Sequence, residues 1–176
     1  MSMQRKDAFI ALIKENEAIL FKVSKAYSKQ AADQQDLYQE IVYQLWKSFA
    51  SFKGESKIST WIYRVALNTC ITHSKRKRKQ VQGLALDGNL SKLVDLPEKE
   101  ADKIWEERLQ FLYKEIKKLS LIDRALILLF LEGESYEAIG EIVGFSASNV
   151  GTRLGRIKQK LKKNAEANSN ISSPEY

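Results

Sequence analysis

The sequence predicts an all-α protein made of two small helical domains joined by a linker, and three observations carry that prediction. Apolar residues recur at intervals of three and four almost throughout, the period of helices and not of strands. Proline, which interrupts helices, occurs only at Pro97 and Pro174. Between residues 80 and 101 the periodicity dissolves into Gly83, Asp87-Gly88-Asn89 and Leu96-Pro97, with no face that could pack. That stretch reads as a linker, which leaves one domain over 1–79, a second over 102–163 and a disordered tail over 164–176.

Taken in order, the first helix is expected from about Asp7 to Ser28, with Phe9, Leu12, Ile13, Ile19, Leu20, Val23 and Tyr27 along its apolar side. The second, about Asp33 to Phe49, gathers Leu37, Ile41, Val42, Leu45, Trp46 and Phe49 on one face and leaves acids and amides on the other. Phe52-Lys53-Gly54-Glu55-Ser56 is short, polar and glycine-bearing, hence a loop, after which Ser59 is placed to cap a third helix running to Lys79. On that helix Trp61, Ile62, Val65, Ala66 and Thr69 form a packing side, while Arg64, Asn68, Ile71, Lys75 and Arg78 share another. Past the linker, Trp105, Leu109, Leu112, Ile116 and Leu119 mark a fourth amphipathic helix. Ser120 with Asp123 resembles a capping box for a short apolar helix that Gly133 closes.

The most specific local pattern follows. Ser135 caps a helix with Tyr136, Ala138, Ile139, Ile142 and Val143 inward, Gly144 makes the turn, and Ser146 or Ser148 caps a helix built on Val150, Leu154, Ile157 and Leu161. Small Gly140 permits the two helices to cross closely, which describes a helix-turn-helix. Its second helix displays Ser148, Asn149, Thr152, Arg153, Arg156 and Lys160, a mixture of amide and hydroxyl groups suited to base edges and cations suited to phosphates. Gly151 and Gly155 each cost about 1 kcal/mol against alanine inside a helix, so they are read as allowing close approach of DNA or of the neighbouring helix.

Charge supports a nucleic-acid partner. The chain carries 29 basic and 22 acidic residues for a net charge of +7, unevenly spread. Residues 1–79 hold 15 basic and 7 acidic side chains, residues 80–134 hold 8 and 11, and residues 135–176 hold 6 and 4, so two basic segments flank an acidic middle. One cysteine, Cys70, and one histidine, His73, leave too little for a disulfide, a protein-built zinc site or a histidine-activated nucleophile. Neither enzyme chemistry, nor a metal, nor a cofactor is expected. No signal segment or long apolar span is visible, so the expected compartment is the cytoplasm, without membrane insertion.

Asp36-Leu37-Tyr38-Gln39-Glu40, then Phe52-Lys53-Gly54-Glu55, then Ser59 through Asn68 resemble, in order and spacing, the first domain of extracytoplasmic-function sigma factors of the sigma-70 family. The resemblance spans about residues 7–79 and 104–163. It implies a region 2-like helical bundle that docks on core RNA polymerase through Asp36, Gln39 and Glu40. The −10 promoter element would then be melted and read by Phe52, Lys53, Gly54, Arg64, Asn68, Lys75, Arg76 and Arg78. It also implies a region 4-like helix-turn-helix that reads the −35 element through Ser148, Asn149, Thr152, Arg153, Arg156 and Lys160, with an anti-sigma factor as regulatory partner. Single-strand capture explains how melting proceeds without fuel: the loop and Asn68 hold an unstacked base while nearby cations hold the backbone. Two departures stand out. Gly151 occupies a position where many relatives carry a basic DNA-contacting residue, and Ser120 replaces a common proline.

A polymerase-independent helix-turn-helix regulator is the main rival, and the Asp36-to-Glu40 motif and the Asn68 helix speak against it. A sigma-mimicking protein that sequesters a regulator is the other, but its promoter-facing surfaces should be neutral or acidic, and here they are basic.

Overall fold

A computed structural model describes residues 3–81 and 100–171, all of whose regular elements are helices. They run α1 (Met3–Glu15), α2 (Glu17–Tyr27), α3 (Ala31–Phe49), α4 (Ile58–Val81), α5 (Glu100–Lys117), α6 (Leu121–Leu131), α7 (Tyr136–Val143) and α8 (Ala147–Ile171). The chain divides into two compact units, α1–α4 in the first and α5–α8 in the second. Of the expected linker 80–101, residues 82–99 lie outside the described residues, while Gln80 and Val81 are helical as the end of α4 and Glu100 and Ala101 as the start of α5.

In the first unit α2, α3 and α4 pack on one another around Leu20, Val23, Leu37, Ile41, Leu45, Ile62, Ala66 and Cys70, all buried. Burial of such side chains contributes about 1.5–3 kcal/mol each, which makes this three-helix core the main support of the unit. The expected single first helix is two: Asn16 interrupts it, its side-chain Nδ2 donating to the Leu12 carbonyl at 2.9 Å while its backbone N–H reaches Leu12 and Ile13. Asparagine competes for local carbonyls in this way, so an apolar period that continues across it need not mean a continuous helix. α1 then contributes Phe9, whose ring meets Trp46 at 4.9 Å and Phe49 at 5.3 Å.

α4 starts one residue before Ser59, so Ser59 is not its cap: the Lys57 carbonyl already accepts from the Trp61 N–H at 3.1 Å. Its buried side is also turned from the expected one, with Thr60, Tyr63, Leu67 and Cys70 joining Ile62 and Ala66 inside, while Trp61, Val65 and Thr69 are half-buried. Trp61 closes an aromatic chain, 6.4 Å from Phe49 and 5.0 Å from Phe52, in keeping with a packing role.

The second unit is organised by α6, whose Ala125 to Leu129 are all buried against α7 and α8. Ser120 caps it as expected, its hydroxyl oxygen accepting from the Asp123 N–H at 3.1 Å. At the other end Gly133 adopts φ 82°, with its N–H on the Phe130 carbonyl and the Glu134 N–H on that of Leu129, so both of these helix-end carbonyls are satisfied. Among its described side chains α5 is buried only toward its C-terminus, at Glu115 and Ile116; Trp105 remains 68% exposed, so the apolar stripe read from the sequence is only partly used within the described structure.

Two buried charges tie this unit together. Arg124 donates to the carbonyls of Lys117 and Leu119, satisfying the C-terminal end of α5. Glu115 accepts from Lys118 and from Asn164 of α8, the latter at 2.7 Å. Burial by itself raises the Glu115 carboxyl, but the hydrogen bonds from Lys118 and Asn164, with the nearby lysine charges, bring it below its ordinary value. α8 continues through Asn164 to Ile171, so the first eight residues of the expected disordered tail are helical; 172–176 lie outside the described residues.

Candidate nucleic-acid interface

The C-terminal interface is set by its caps and by one glycine. The Ser135 hydroxyl accepts from the Ala138 N–H at 3.2 Å to open α7, and Gly144 closes it in the left-handed region at φ 81°. A Cβ on Gly140 would lie 2.4 Å from the Phe145 carbonyl oxygen, so only glycine permits this turn to fold back. Ser146, rather than Ser148, caps α8, accepting from the Asn149 N–H at 3.3 Å. Val150, Leu154 and Ile157 are then buried against the unit, which leaves Ser148, Asn149, Thr152, Arg156 and Lys160 exposed along the outer side. That row combines groups for base edges with groups for phosphates.

Arg153 is set apart from the row. Its Nε and Nη2 both donate to Asp123 Oδ1, at 3.0 and 2.8 Å, and its guanidinium lies 5.3 Å from the centre of the Phe145 ring. Gly151 faces inward too: a Cβ there would stand 3.2 Å from the Tyr136 ring, whereas one on Gly155 would meet nothing within 4 Å. Of the two explanations for these glycines, close approach of a neighbouring helix therefore applies to Gly151, and Gly155 remains open toward the surface.

In the first unit Arg64, Asn68, Lys75, Arg76 and Arg78 are all exposed on α4. Asn68, Thr69, Thr72, His73 and Arg76 form one wall of a cleft of about 270 Å³, whose other wall is Glu40 and Gln44 of α3. The Glu40 carboxylate accepts from Gln44 Nε2 at 2.9 Å. Glu40, expected to act with Asp36 and Gln39, thus shares a cleft with Asn68 and Arg76. Gln39 instead borders an apolar groove of about 370 Å³ with Phe9, Tyr38, Val42, Tyr43 and Trp46. Asp36 is exposed.

The loop residues lie apart from the cleft. Phe52 is half-buried against Trp61, Lys53 is exposed, and Gly54 turns the chain at φ 73°. Sequence reasoning missed Gln44, Thr72 and His73. Thr72 was within reach of it, four residues from both Asn68 and Arg76 on one helical face. Among the described residues no cluster of metal-ligating side chains occurs, and no helix is long and apolar enough to cross a membrane.

Comparison with known proteins decides what these two interfaces belong to. Residues 12–80 match the family model of Sigma-70 region 2, and residues 111–161 that of Sigma-70, region 4. The RNA polymerase sigma factor YlaC of Bacillus subtilis is 35% identical over 132 residues, covering 73% of this chain and 75% of that protein. The ECF RNA polymerase sigma-E factor of Haemophilus influenzae is 33% identical over 141 residues, covering 72% and 71%. The chain belongs to the extracytoplasmic-function group of the sigma-70 family. As an alternative sigma factor it serves transcription initiation and is not itself an enzyme.

The fold of this sigma factor is also that of two solved structures. The sigma factor RpoE of Bartonella quintana, in complex with the anti-sigma factor NepR, superposes with a TM-score of 0.70 at 19% identity, over 94% of this chain and 98% of that one. CnrH in complex with the cytosolic domain of CnrY gives 0.65 at 19% identity, over 92% and 90%.

Proposed function

We propose that α1–α4 dock this sigma factor on core RNA polymerase and open the −10 element, while α5–α8 read the −35 element, with domain limits near residues 79 and 102. Asp36, Gln39 and Glu40 make the polymerase contacts. Asn68 takes the edge of an unstacked base, Arg64, Lys75, Arg76 and Arg78 hold the surrounding backbone, and Phe52, Lys53 and Gly54 approach from the loop. On α8, Ser148, Asn149 and Thr152 meet base edges, and Arg156 and Lys160 meet phosphates.

The energetics are consistent with melting that needs no nucleotide hydrolysis. Extruding a base costs a few kcal/mol, about the amount that stacking and edge contacts in a protein pocket return. Cations along α4 add a salt-dependent, sequence-independent attraction that holds the strand backbone beside Asn68. Regulation by an anti-sigma factor, as in the RpoE–NepR structure, and action in the cytoplasm complete the reading.

The observation that carries the reading is the exposed row Arg64, Asn68, Lys75, Arg76 and Arg78 on α4. A regulator that binds only duplex DNA through α8 has no use for a second polar and cationic face in the other unit. Run-off transcription with purified core polymerase and a promoter library tests it. Transcripts from a defined subset of promoters, dependent on this chain, are expected. Sequence-specific duplex binding by the chain alone, with no transcripts and no association with core polymerase, would establish the autonomous regulator instead.

A further inference from the structure

Arg153 lies on the recognition helix among residues expected to touch DNA, yet its guanidinium is already engaged on two sides. Asp123 Oδ1 takes both its Nε and its Nη2, and Asp123 Oδ2 accepts from the Ser120 hydroxyl at 2.8 Å, so both carboxylate oxygens are occupied. Ser120 is the N-cap of α6, and Phe145, under the guanidinium, is the turn residue whose N–H reaches the Gly140 carbonyl at 3.0 Å. One side chain of α8 is thereby joined to the start of α6 and to the turn after α7. Arg153 and Asp123 are partly shielded, at 35% and 27% exposure, so the pair is less weakened by solvent than a fully exposed one.

Resting on the promoter reading above, we infer that Arg153 does not contact DNA but is a positioning residue that fixes the roll of α8 about its own axis. The buried Val150, Leu154 and Ile157 hold α8 to the unit through apolar contact, which is not directional. A guanidinium held by two N–H groups on a carboxylate has a fixed plane and reach, so it selects one roll. With that roll set, Asn149, Thr152 and Arg156 face outward together. For Arg153 to reach a phosphate it would have to give up both bonds to Asp123 and leave that carboxylate uncompensated beside DNA.

The two roles predict opposite signs for one substitution. Asp123→Ala removes a negative charge from a DNA-binding unit, and electrostatics alone makes it bind DNA more tightly. The positioning role makes it bind more weakly. The experiment is holoenzyme binding to a promoter fragment recovered by the run-off assay, measured across a salt series with full-length Asp123→Ala, Arg153→Ala, Arg153→Lys and the double alanine variant. All measurements are made at a temperature where circular dichroism shows each chain folded.

Each single variant is expected to lose about tenfold in affinity, the size of a charged hydrogen-bonded pair at the low end of its range. The double variant should be no worse than either single one, Arg153→Lys should fail to rescue, and the slope of log affinity against log salt should stay unchanged. A slope shallower by about one for Arg153→Ala, rescue by lysine and unchanged or tighter binding by Asp123→Ala would show a direct phosphate contact and overturn the inference. Unchanged affinity in all the folded variants would reduce the pair to fold stabilisation and overturn it as well. Failure of the wild-type holoenzyme to retain the fragment specifically would refute the promoter reading itself, and the inference with it.

Discussion

Three glycines of the C-terminal unit separate what backbone packing demands from what it leaves open. Gly140 admits no methyl group, because the Phe145 carbonyl oxygen is backbone and cannot swing aside. Gly140→Ala should destabilise the unit by about 1–3 kcal/mol in urea unfolding, the usual cost of overpacking. Gly155 is the opposite case: nothing lies within 4 Å of an added Cβ. Gly155→Ala should stabilise the fold by up to about 1 kcal/mol, so any loss of promoter affinity in that variant reports close approach of DNA and not a folding defect. Gly151, near the movable Tyr136 ring, falls between them. Gly140 was legible in the sequence as a small residue five positions after the Ser135 cap. The partners of Gly151 and Arg153 were not, since a side chain's neighbour across a turn depends on tertiary geometry that helical periodicity does not encode.

At the scale of elements, caps and apolar faces were the legible part. Ser120, Ser135, Gly133 and Gly144 occupy the positions their chemistry suggested. Ser135→Ala should cost about 1 kcal/mol in thermal unfolding of the second unit, because one helix N–H then loses its partner. The break at Asn16 and the start of α4 before Ser59 escaped because local hydrogen bonds, not apolar spacing, decide them. Buried Glu115 and Arg124 escaped for a related reason: in sequence they look like any charged residue on a helix surface.

Glu115 gives a pH prediction. Its folded carboxyl titrates below the ordinary value of 4.5, so its stabilising contribution is complete above that value and is lost as pH falls through the folded pKa. The gap in melting temperature between wild type and Glu115→Gln should therefore narrow as pH is lowered from about 6 to about 3. A gap that stays constant over that window would mean the Asn164 and Lys118 bonds do not depend on the carboxylate charge.

At the scale of the whole molecule, the division into two helical units and the polar face on each were readable from composition and period alone. The pairing of α3 with α4 was not, and it is this pairing that sets Glu40 and Gln44 opposite Asn68 and Arg76. The central claim is a division of labour: α4 opens promoter DNA and α8 anchors it upstream. Kinetics on one promoter that resolve initial duplex binding from open-complex formation, with holoenzymes carrying Asn68→Ala or Arg156→Ala, test it most directly. Asn68→Ala should slow or weaken opening with initial binding little changed, and Arg156→Ala should weaken initial binding and flatten its salt dependence, by a log–log slope of about one, with opening little changed. Equal losses at the same step for both variants would contradict it.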